Sequence, residues 1–418
     1  MPVKLYGLGW EEVSLMSDKI SLNADRDSIK TTGIITYWDT KNNYGTVLQN
    51  YALQQFLKKL NVRAFLIRIQ FDSKLSRIQI YKHMAENYGL KKLVAHIFSR
   101  PFIKALNASL RIKQKDLSRN FANFIETNLN PSSIFHSYAE LERCCPEADF
   151  YIAGSDQIWN TYGKPVEEIG DEIRAYLLSF VQGGKMRVSC AASFGSPEFD
   201  PTFSDIFKNA LEMFEFVSVR EQSGVDICRK LGIQNVFLQQ DPTMLMSVSD
   251  YRNIESKSLV PKKPYILLYL LGNTTDFSIR TLKSFAAQNG LDMVYVSANE
   301  MQRINFYKKV YPMISEWLGL FDCAEYVVTN SFHGTVFSLI FNKNFLFVPQ
   351  CGKFQNQNGR IGSLLDCFGL ADRIFTGRGF ENLMNPVDWD SINTMLAEIR
   401  EQSPFALYAK SITQGGSE

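Results

Sequence analysis

The chain has 418 residues, 45% of them apolar, and a formal net charge of +2, so it exceeds one ordinary core and two domains of about 150–220 residues are expected. No apolar run reaches the roughly 18–20 residues of a membrane span, and residues 1–30 lack the basic-then-apolar pattern of a secretory leader. Seven cysteines, odd in number and irregularly spaced, point to a reducing compartment, and none falls into the spacing of a zinc site.

Residues 1–30 read as an N-terminal extension of mixed polarity. The first strand is expected over Gly33-Ile34-Ile35-Thr36-Tyr37 and is followed by a polar loop, Trp38 to Gly45. A helix over 46–60 then carries Val47, Leu48, Tyr51, Leu53, Leu57 and Leu60 as an apolar face. A second strand, 64–69, completes a βαβ unit, which implies a parallel sheet with right-handed crossovers. Residues 74–119 hold eleven Lys/Arg against two Asp/Glu, interleaved with Leu90, Leu93, Val94, Ile97 and Phe98. This basic insertion reads either as helices with a solvated basic face or as an attachment to an anionic surface such as lipid headgroups or a diphosphate-linked lipid.

Strands resume at Phe150-Tyr151-Ile152-Ala153, at 188–192 and at Phe216-Val217-Ser218-Val219, with a helix over 223–231 and a strand at Val236-Phe237-Leu238. Each delivers polar residues at its C-terminal end, the edge where open α/β sheets bind ligands. A domain boundary is expected between Tyr251 and Pro264, where serines, lysines and prolines cluster without periodicity. The second half restarts with a strand over 265–271, the turn Gly272-Asn273, a helix over 278–289 and a strand over 292–296. A helix over 315–322, a strand over 324–329, a helix from Thr335 to Phe341 and a strand over 344–348 follow. The expected architecture is α/β: two doubly wound, Rossmann-like domains, 31–255 and 256–390, facing each other across a cleft. Residues 391–418 read as a C-terminal helix and tail.

Five polar groups stand at the expected strand ends. Asn43-Tyr44-Gly45 precedes the first helix and is either an ordinary turn or a phosphate or sugar contact. Gly154-Ser155-Asp156-Gln157-Ile158-Trp159-Asn160 combines a flexible backbone, a carboxylate, amides and an aromatic ring, the groups that bind a sugar, although Trp159 equally suits a core. Arg220 follows an apolar strand and is either paired with an acid such as Glu221 or aimed at a ligand phosphate or carboxylate. Asn330-Ser331-Phe332-His333-Gly334 stands at a turn before a helix. Its side chains can cap helix amides, its glycine allows a close backbone approach, and a helix N-terminus with a histidine suits an anion. The alternative is a capped buried helix whose histidine meets a local hydrogen bond. Arg360, placed before an expected helix over 364–368, is either a second anion clamp or half of a surface ion pair.

No phosphate-binding P-loop, dinucleotide fingerprint, Asp-x-Asp metal motif or nucleophile elbow is present, and no metal site is expected. The ordered set Gly33-Ile34-Ile35-Thr36, Asn42 to Gln49, Gly154 to Asn160, Ala191-Ala192-Ser193-Phe194-Gly195, Ser218-Val219-Arg220-Glu221, Asp241-Pro242-Thr243 and Ser331 to Thr335 resembles the polysaccharide pyruvyl transferase family over roughly residues 31–375. The resemblance implies a glycosyltransferase-B-like pair of Rossmann-like domains. It also implies transfer of pyruvyl from phosphoenolpyruvate to two hydroxyls of a sugar, giving a cyclic ketal and phosphate. Phosphoenolpyruvate is then a substrate, and no cofactor is expected.

From the strand-end groups, the first domain is expected to take the acceptor through Asn43, Tyr44, Gly45, Ser155, Asp156, Gln157 and Trp159. The resemblance implies that the donor meets Arg220 and the Ser331–His333 segment, and the residues at the same strand ends add Asn330, Gly334 and Arg360, with His333, Arg220 and Asp156 expected to be catalytic and Glu221 a second candidate base. Many members carry arginine and leucine where this chain has Ser331 and Phe332, so Arg360 is expected to supply the missing charge. The expected partners are phosphoenolpyruvate and a saccharide of a polysaccharide or its lipid-diphosphate-linked precursor, with no nucleic acid. The expected location is cytoplasmic, with peripheral contact at the inner membrane face through 74–119. The rival readings are a nucleotide-sugar-dependent glycosyltransferase of polysaccharide biosynthesis and a non-catalytic sugar-binding relative.

Overall fold

The computed structural model describes residues 31–39, 42–71, 112–162, 166–271, 274, 277–298, 307–351 and 358–413. The 1–30 extension, most of the basic insertion (74–111), the Gly272-Asn273 turn and the tail 414–418 lie outside the described residues.

The first sheet is parallel throughout. It orders β3 (Pro131–Phe135), β2 (Arg63–Ile69), β1 (Thr31–Ile35), β4 (Phe150–Ala153) and β5 (Met186–Ser189). Parallel bridges Val188↔Phe216 and Ala192↔Val219 continue it to β6 (Val217–Val219), which pairs with β7 (Val236–Leu238). Chain order therefore runs outward from β1 through β2 and β3, then restarts at β4 on the other side of β1. That reversal makes a topological switch point between the ends of β1 and β4.

The second sheet orders β11 (Asn344–Phe347), β10 (Tyr326–Thr329), β8 (Tyr265–Tyr269) and β9 (Asp292–Val296), again all parallel. Its reversal falls between β8 and β10. Continuous apolar runs such as Tyr265-Ile266-Leu267-Leu268-Tyr269, buried at every position, are what a strand covered by helices on both faces requires.

The two domains share a core. Tyr44, the first residue of the helix Tyr44–Lys59, stacks on Trp317 with ring centroids 5.1 Å apart and planes at 10°, and its hydroxyl donates to the Pro312 carbonyl at 2.6 Å. Arg119, wholly buried, donates to the Ala298 carbonyl and pairs with Asp116, its guanidinium over the Tyr311 ring. The chain's end returns to the first domain. After the helix Trp389–Gln402 a second helix, Pro404–Thr413, packs Phe405 and Tyr408 against Phe216. Residues 391–413 thus hold two helices where one was expected.

Candidate active site

The site stands where the two switch points meet. From the first domain, β1 ends in Thr36, β4 in Gly154-Ser155-Asp156, β6 in Arg220-Glu221 and β7 in Gln239-Gln240-Asp241. From the second, β10 ends in Asn330-Ser331 and leads into the helix Phe332–Ile340. Helix formation starts earlier than expected here, with Ser331 as N-cap accepting from the Gly334 amide at 3.3 Å. His333 therefore sits inside the first turn and not before it.

Asp241 organises the cluster. It is wholly buried. Its Oδ1 accepts from the Thr243 amide at 3.0 Å and the Thr243 hydroxyl at 2.7 Å, starting the short 3-10 turn Pro242–Leu245. Its Oδ2 accepts from Arg220 Nη1 at 2.8 Å and from the Ser155 hydroxyl at 2.9 Å. His333 Nε2 stands 3.4 Å from the same Oδ2 but outside hydrogen-bond geometry, so it has no hydrogen-bond partner within the protein. Burial alone would raise the Asp241 carboxyl, yet His333, Arg220 and Thr243 together hold it well below the usual carboxylate range. Burial pulls Arg220 the other way, but Asp241, Asp156 and Glu221 outweigh it and leave that guanidinium more basic than usual.

Arg360 completes the charge pattern. The helix that carries it, Asn358–Cys367, also starts earlier than expected, so Arg360 lies in its first turn. Burial, and then repulsion by Arg220, lower its pKa to about 10. The guanidinium carbons of Arg220 and Arg360 lie 4.8 Å and 5.9 Å from the centroid of the Phe332 ring, a cation–π arrangement for both. The Nε atoms of both arginines are buried without a hydrogen-bond partner in the protein.

The three acids are more fully used. Glu221 Oε1 accepts from the Ser193 hydroxyl and from the amides of Phe194 and Gly195, while its Oε2 is buried and unpartnered. Asp156 accepts from the Thr46 hydroxyl at 2.9 Å and from the neighbouring Gln157 amide. Its backbone has φ of +79°, a left-handed conformation that costs an aspartate about 1 kcal/mol or more. The bridge Asp156↔Ala192 holds the backbone in that conformation.

Several expected site residues have other work. Trp159 is wholly buried among Phe194, Phe207 and Phe214, its indole N–H on the Tyr176 carbonyl, so it is core and not a sugar platform. Tyr44 belongs to the shared interdomain core described above. Asn43 caps its helix by accepting from the Gly45 amide. Gly45 makes room for the His333 ring, because a Cβ there would lie 2.0 Å from His333 Nδ1. Gly334 likewise admits Thr329, whose Oγ1 would be 2.3 Å from its Cβ. Both ends of the Asn330 amide are spent on the backbone of Leu271. The Ser155 hydroxyl is taken by Asp241. The Gln157 side chain accepts from the Asn160 amide at 3.2 Å and lies against Gly195.

Asp241 has no predicted role of its own in the sequence. Its signals there are its place, after β7 at the same sheet edge as Arg220, and its membership of the Asp241-Pro242-Thr243 motif in the family resemblance. Among the described residues no three His, Cys, Asp or Glu side chains are grouped as metal ligands, and no helix is long and apolar enough to cross a membrane.

The comparisons with known proteins fit this geometry. The family model described as polysaccharide pyruvyl transferase matches residues 43–351, which includes every strand end of the site except Thr36. Among solved structures, the UDP-GlcNAc 2-epimerase of Methanocaldococcus jannaschii is similar at a TM-score of 0.50 and 12% identity, over 92% of this chain and 98% of that one. The glycosyltransferase SnogD of Streptomyces nogalater is similar at 0.41 and 9% identity, over 93% and 98%. At such identities the first likeness shows a shared fold alone, two Rossmann-like domains in the glycosyltransferase-B manner. No curated protein matches the chain in sequence.

Proposed function

This chain belongs to the polysaccharide pyruvyl transferase family, and from that premise we propose that it transfers pyruvyl from phosphoenolpyruvate to two hydroxyls of a saccharide acceptor, releasing phosphate. The observation that carries the reading is the pair of guanidiniums, Arg220 and Arg360, held against one Phe332 ring with their Nε groups unpaired beside His333. Two cations brought together at the cost of mutual repulsion, with donors left over, suit a small ligand carrying a phosphate and a carboxylate. Arg360 then supplies the charge that Ser331 does not.

In this reading His333 protonates the methylene carbon of the donor, leaving a cationic centre at C2. A sugar hydroxyl adds there and loses its proton, the C–O bond to phosphate breaks, and a second hydroxyl closes the ketal. One hydroxyl proton is thereby balanced by the new methyl group and the other by the departing phosphate. Asp156, at the C-terminal end of β4 and already linked to Thr46, takes the hydroxyl proton. The acceptor is a sugar of a polysaccharide or of its lipid-diphosphate-linked precursor.

The test is incubation with phosphoenolpyruvate and a panel of lipid-linked sugars, reading released phosphate and product mass. A product heavier by one ketal-linked pyruvate, with stoichiometric phosphate, is expected. Consumption of a sugar nucleotide with phosphoenolpyruvate untouched would overturn the proposal in favour of a glycosyltransferase.

A further inference from the structure

The hydrogen-bond partners of Asp241 have one property in common. The Thr243 amide and the Arg220 guanidinium are donors only, and the Thr243 and Ser155 hydroxyls both donate as well. Oδ1 and Oδ2 are each filled by donors, so only an acceptor at both ends fits, which a carboxylate is and an asparagine is not. The fifth neighbour, His333 Nε2, faces the same Oδ2 at 3.4 Å, and both groups are buried. A bare nitrogen lone pair turned toward a carboxylate oxygen is repulsive, whereas an N–H there is attractive. On the other side of the ring, Nδ1 lies along Gly45 at the start of the helix Tyr44–Lys59, with no side chain between. Phe332 meets the ring edge to face, at 88°.

We propose that Asp241 is a positioning residue that fixes the tautomer of His333, keeping a hydrogen on Nε2 and leaving Nδ1, beside Gly45, as the nitrogen that takes up and gives the proton in the reaction. For its chemical consequence this rests on the reading of the site as a donor site; the tautomer itself does not. The proton balance is simple. Neutral His333 carries hydrogen on Nε2, gains one on Nδ1 to become the acid, passes that proton to the methylene carbon, and returns to the Nε2–H form. Because Asp241 and Arg220 belong to the first domain and His333 to the second, the correct tautomer exists only when the two domains are docked. The second histidine nitrogen is thus selected by the hydrogen-bonding preference of the group facing the first.

The full chain labelled with ¹⁵N-histidine provides the test. It has only four histidines, and His333→Gln assigns the signal. In the wild type, on the neutral ring, long-range ¹H–¹⁵N correlation is expected to show Nε2 as the protonated nitrogen. In Asp241→Asn, whose amide sets an NH₂ against a donor whichever way it turns, hydrogen is expected to move at least partly to Nδ1. The specificity constant for phosphoenolpyruvate is expected to fall about 10²-fold in that variant, the scale of a misplaced general acid.

A wild-type ring protonated on Nδ1 overturns the proposal, as does a folded Asp241→Asn variant whose histidine pattern is unchanged. Should that variant not fold, the wild-type spectrum decides by itself, Nε2–H supporting the assignment and Nδ1–H overturning it. A wild-type protein that holds the Nε2–H tautomer but leaves phosphoenolpyruvate unconsumed refutes the donor reading and not the assignment.

Discussion

Replacing Gly45 by alanine puts a methyl group 2.0 Å from His333 Nδ1, where carbon and nitrogen normally rest at about 3.5 Å. The ring must therefore retreat by about 1.5 Å, the difference between that contact and the available space. Its retreat is hindered by Phe332, edge to face with its centroid 5.3 Å away, and any displacement of the ring disturbs the 3.4 Å approach of Nε2 to Asp241. Overpacking of this kind costs about 1–3 kcal/mol, against a gain of about 1 kcal/mol for Ala over Gly in a helix, so stability is expected to fall by no more than about 2 kcal/mol. Activity is expected to fall much further, since a displacement of about 1 Å at the reacting groups can cost roughly 10²-fold. The measurement is phosphate release from phosphoenolpyruvate at saturating acceptor, with thermal unfolding of the same preparation. Gly170→Ala is the control: it sits mid-helix with only ordinary contact at 3.8 Å and is expected to gain about 1 kcal/mol with activity unchanged. Turnover by Gly45→Ala within twofold of wild type would refute the idea that His333 needs this close approach.

Arg220→Ala and Arg360→Ala are expected to diverge. The first strands the buried Asp241 carboxylate and loses about 3–5 kcal/mol along with activity, whereas the second removes a cation with no ion pair among the described residues and loses donor binding with stability kept or raised; equal melting shifts in both would contradict this. Arg360, with its pKa lowered to about 10, destabilises the fold while charged, so stability rises above that pH and the KM for phosphoenolpyruvate climbs through it, a rise absent from Arg360→Ala. Tyr44→Phe loses the hydrogen bond to Pro312 and about 1 kcal/mol, with the KM for acceptor unchanged; a raised KM would return Tyr44 to the acceptor site. Phe405→Ala, which empties a wholly packed place in the first domain's core, is expected to cost about 3–5 kcal/mol by chemical denaturation.

The buried strands and their polar ends were legible in the sequence because buried parallel strands are apolar along their whole length and then turn abruptly polar, whereas the half-exposed edge strand Pro131–Phe135 lacks that apolar run and was not expected. Arg220 stood out for that reason, following Val217-Ser218-Val219 with no packing role, and the structure pairs it with an acid, though with Asp241 and not Glu221. Helix starts were less legible. Gly334 and Gly359 weaken helix propensity, so the expected helices begin after them, whereas the Ser331 cap and tertiary packing begin both helices earlier. Aromatic roles were legible least. Trp159 and Tyr44 stand in polar surroundings along the chain, and only the folded packing of Phe194, Phe207 and Trp317 shows that both rings point inward. Asp241 was invisible as a hub because its partners come from positions 155, 220, 243 and 333, a convergence no local pattern encodes.

The charge of the site depends on what is counted. By formal charge, two guanidiniums meet the carboxylates of Asp156, Glu221 and Asp241, which makes a poor attractor for an anion. By available hydrogen-bonding capacity the sign reverses. Asp241 is filled by donors at both oxygens, Glu221 Oε1 by three, and Asp156 by Thr46 and Gln157. Asp241 and Asp156 are thereby matched by local donors at both oxygens and Glu221 at one, its Oε2 being unpartnered, while the Nε groups of Arg220 and Arg360 remain unmatched. In a buried site of low effective dielectric an unmatched donor counts for more than a distant, already solvated charge. Asp241 holds Arg220 without satisfying its Nε and Phe332 backs Arg360, so in the proposed reading an anion entering the cleft meets donors already desolvated.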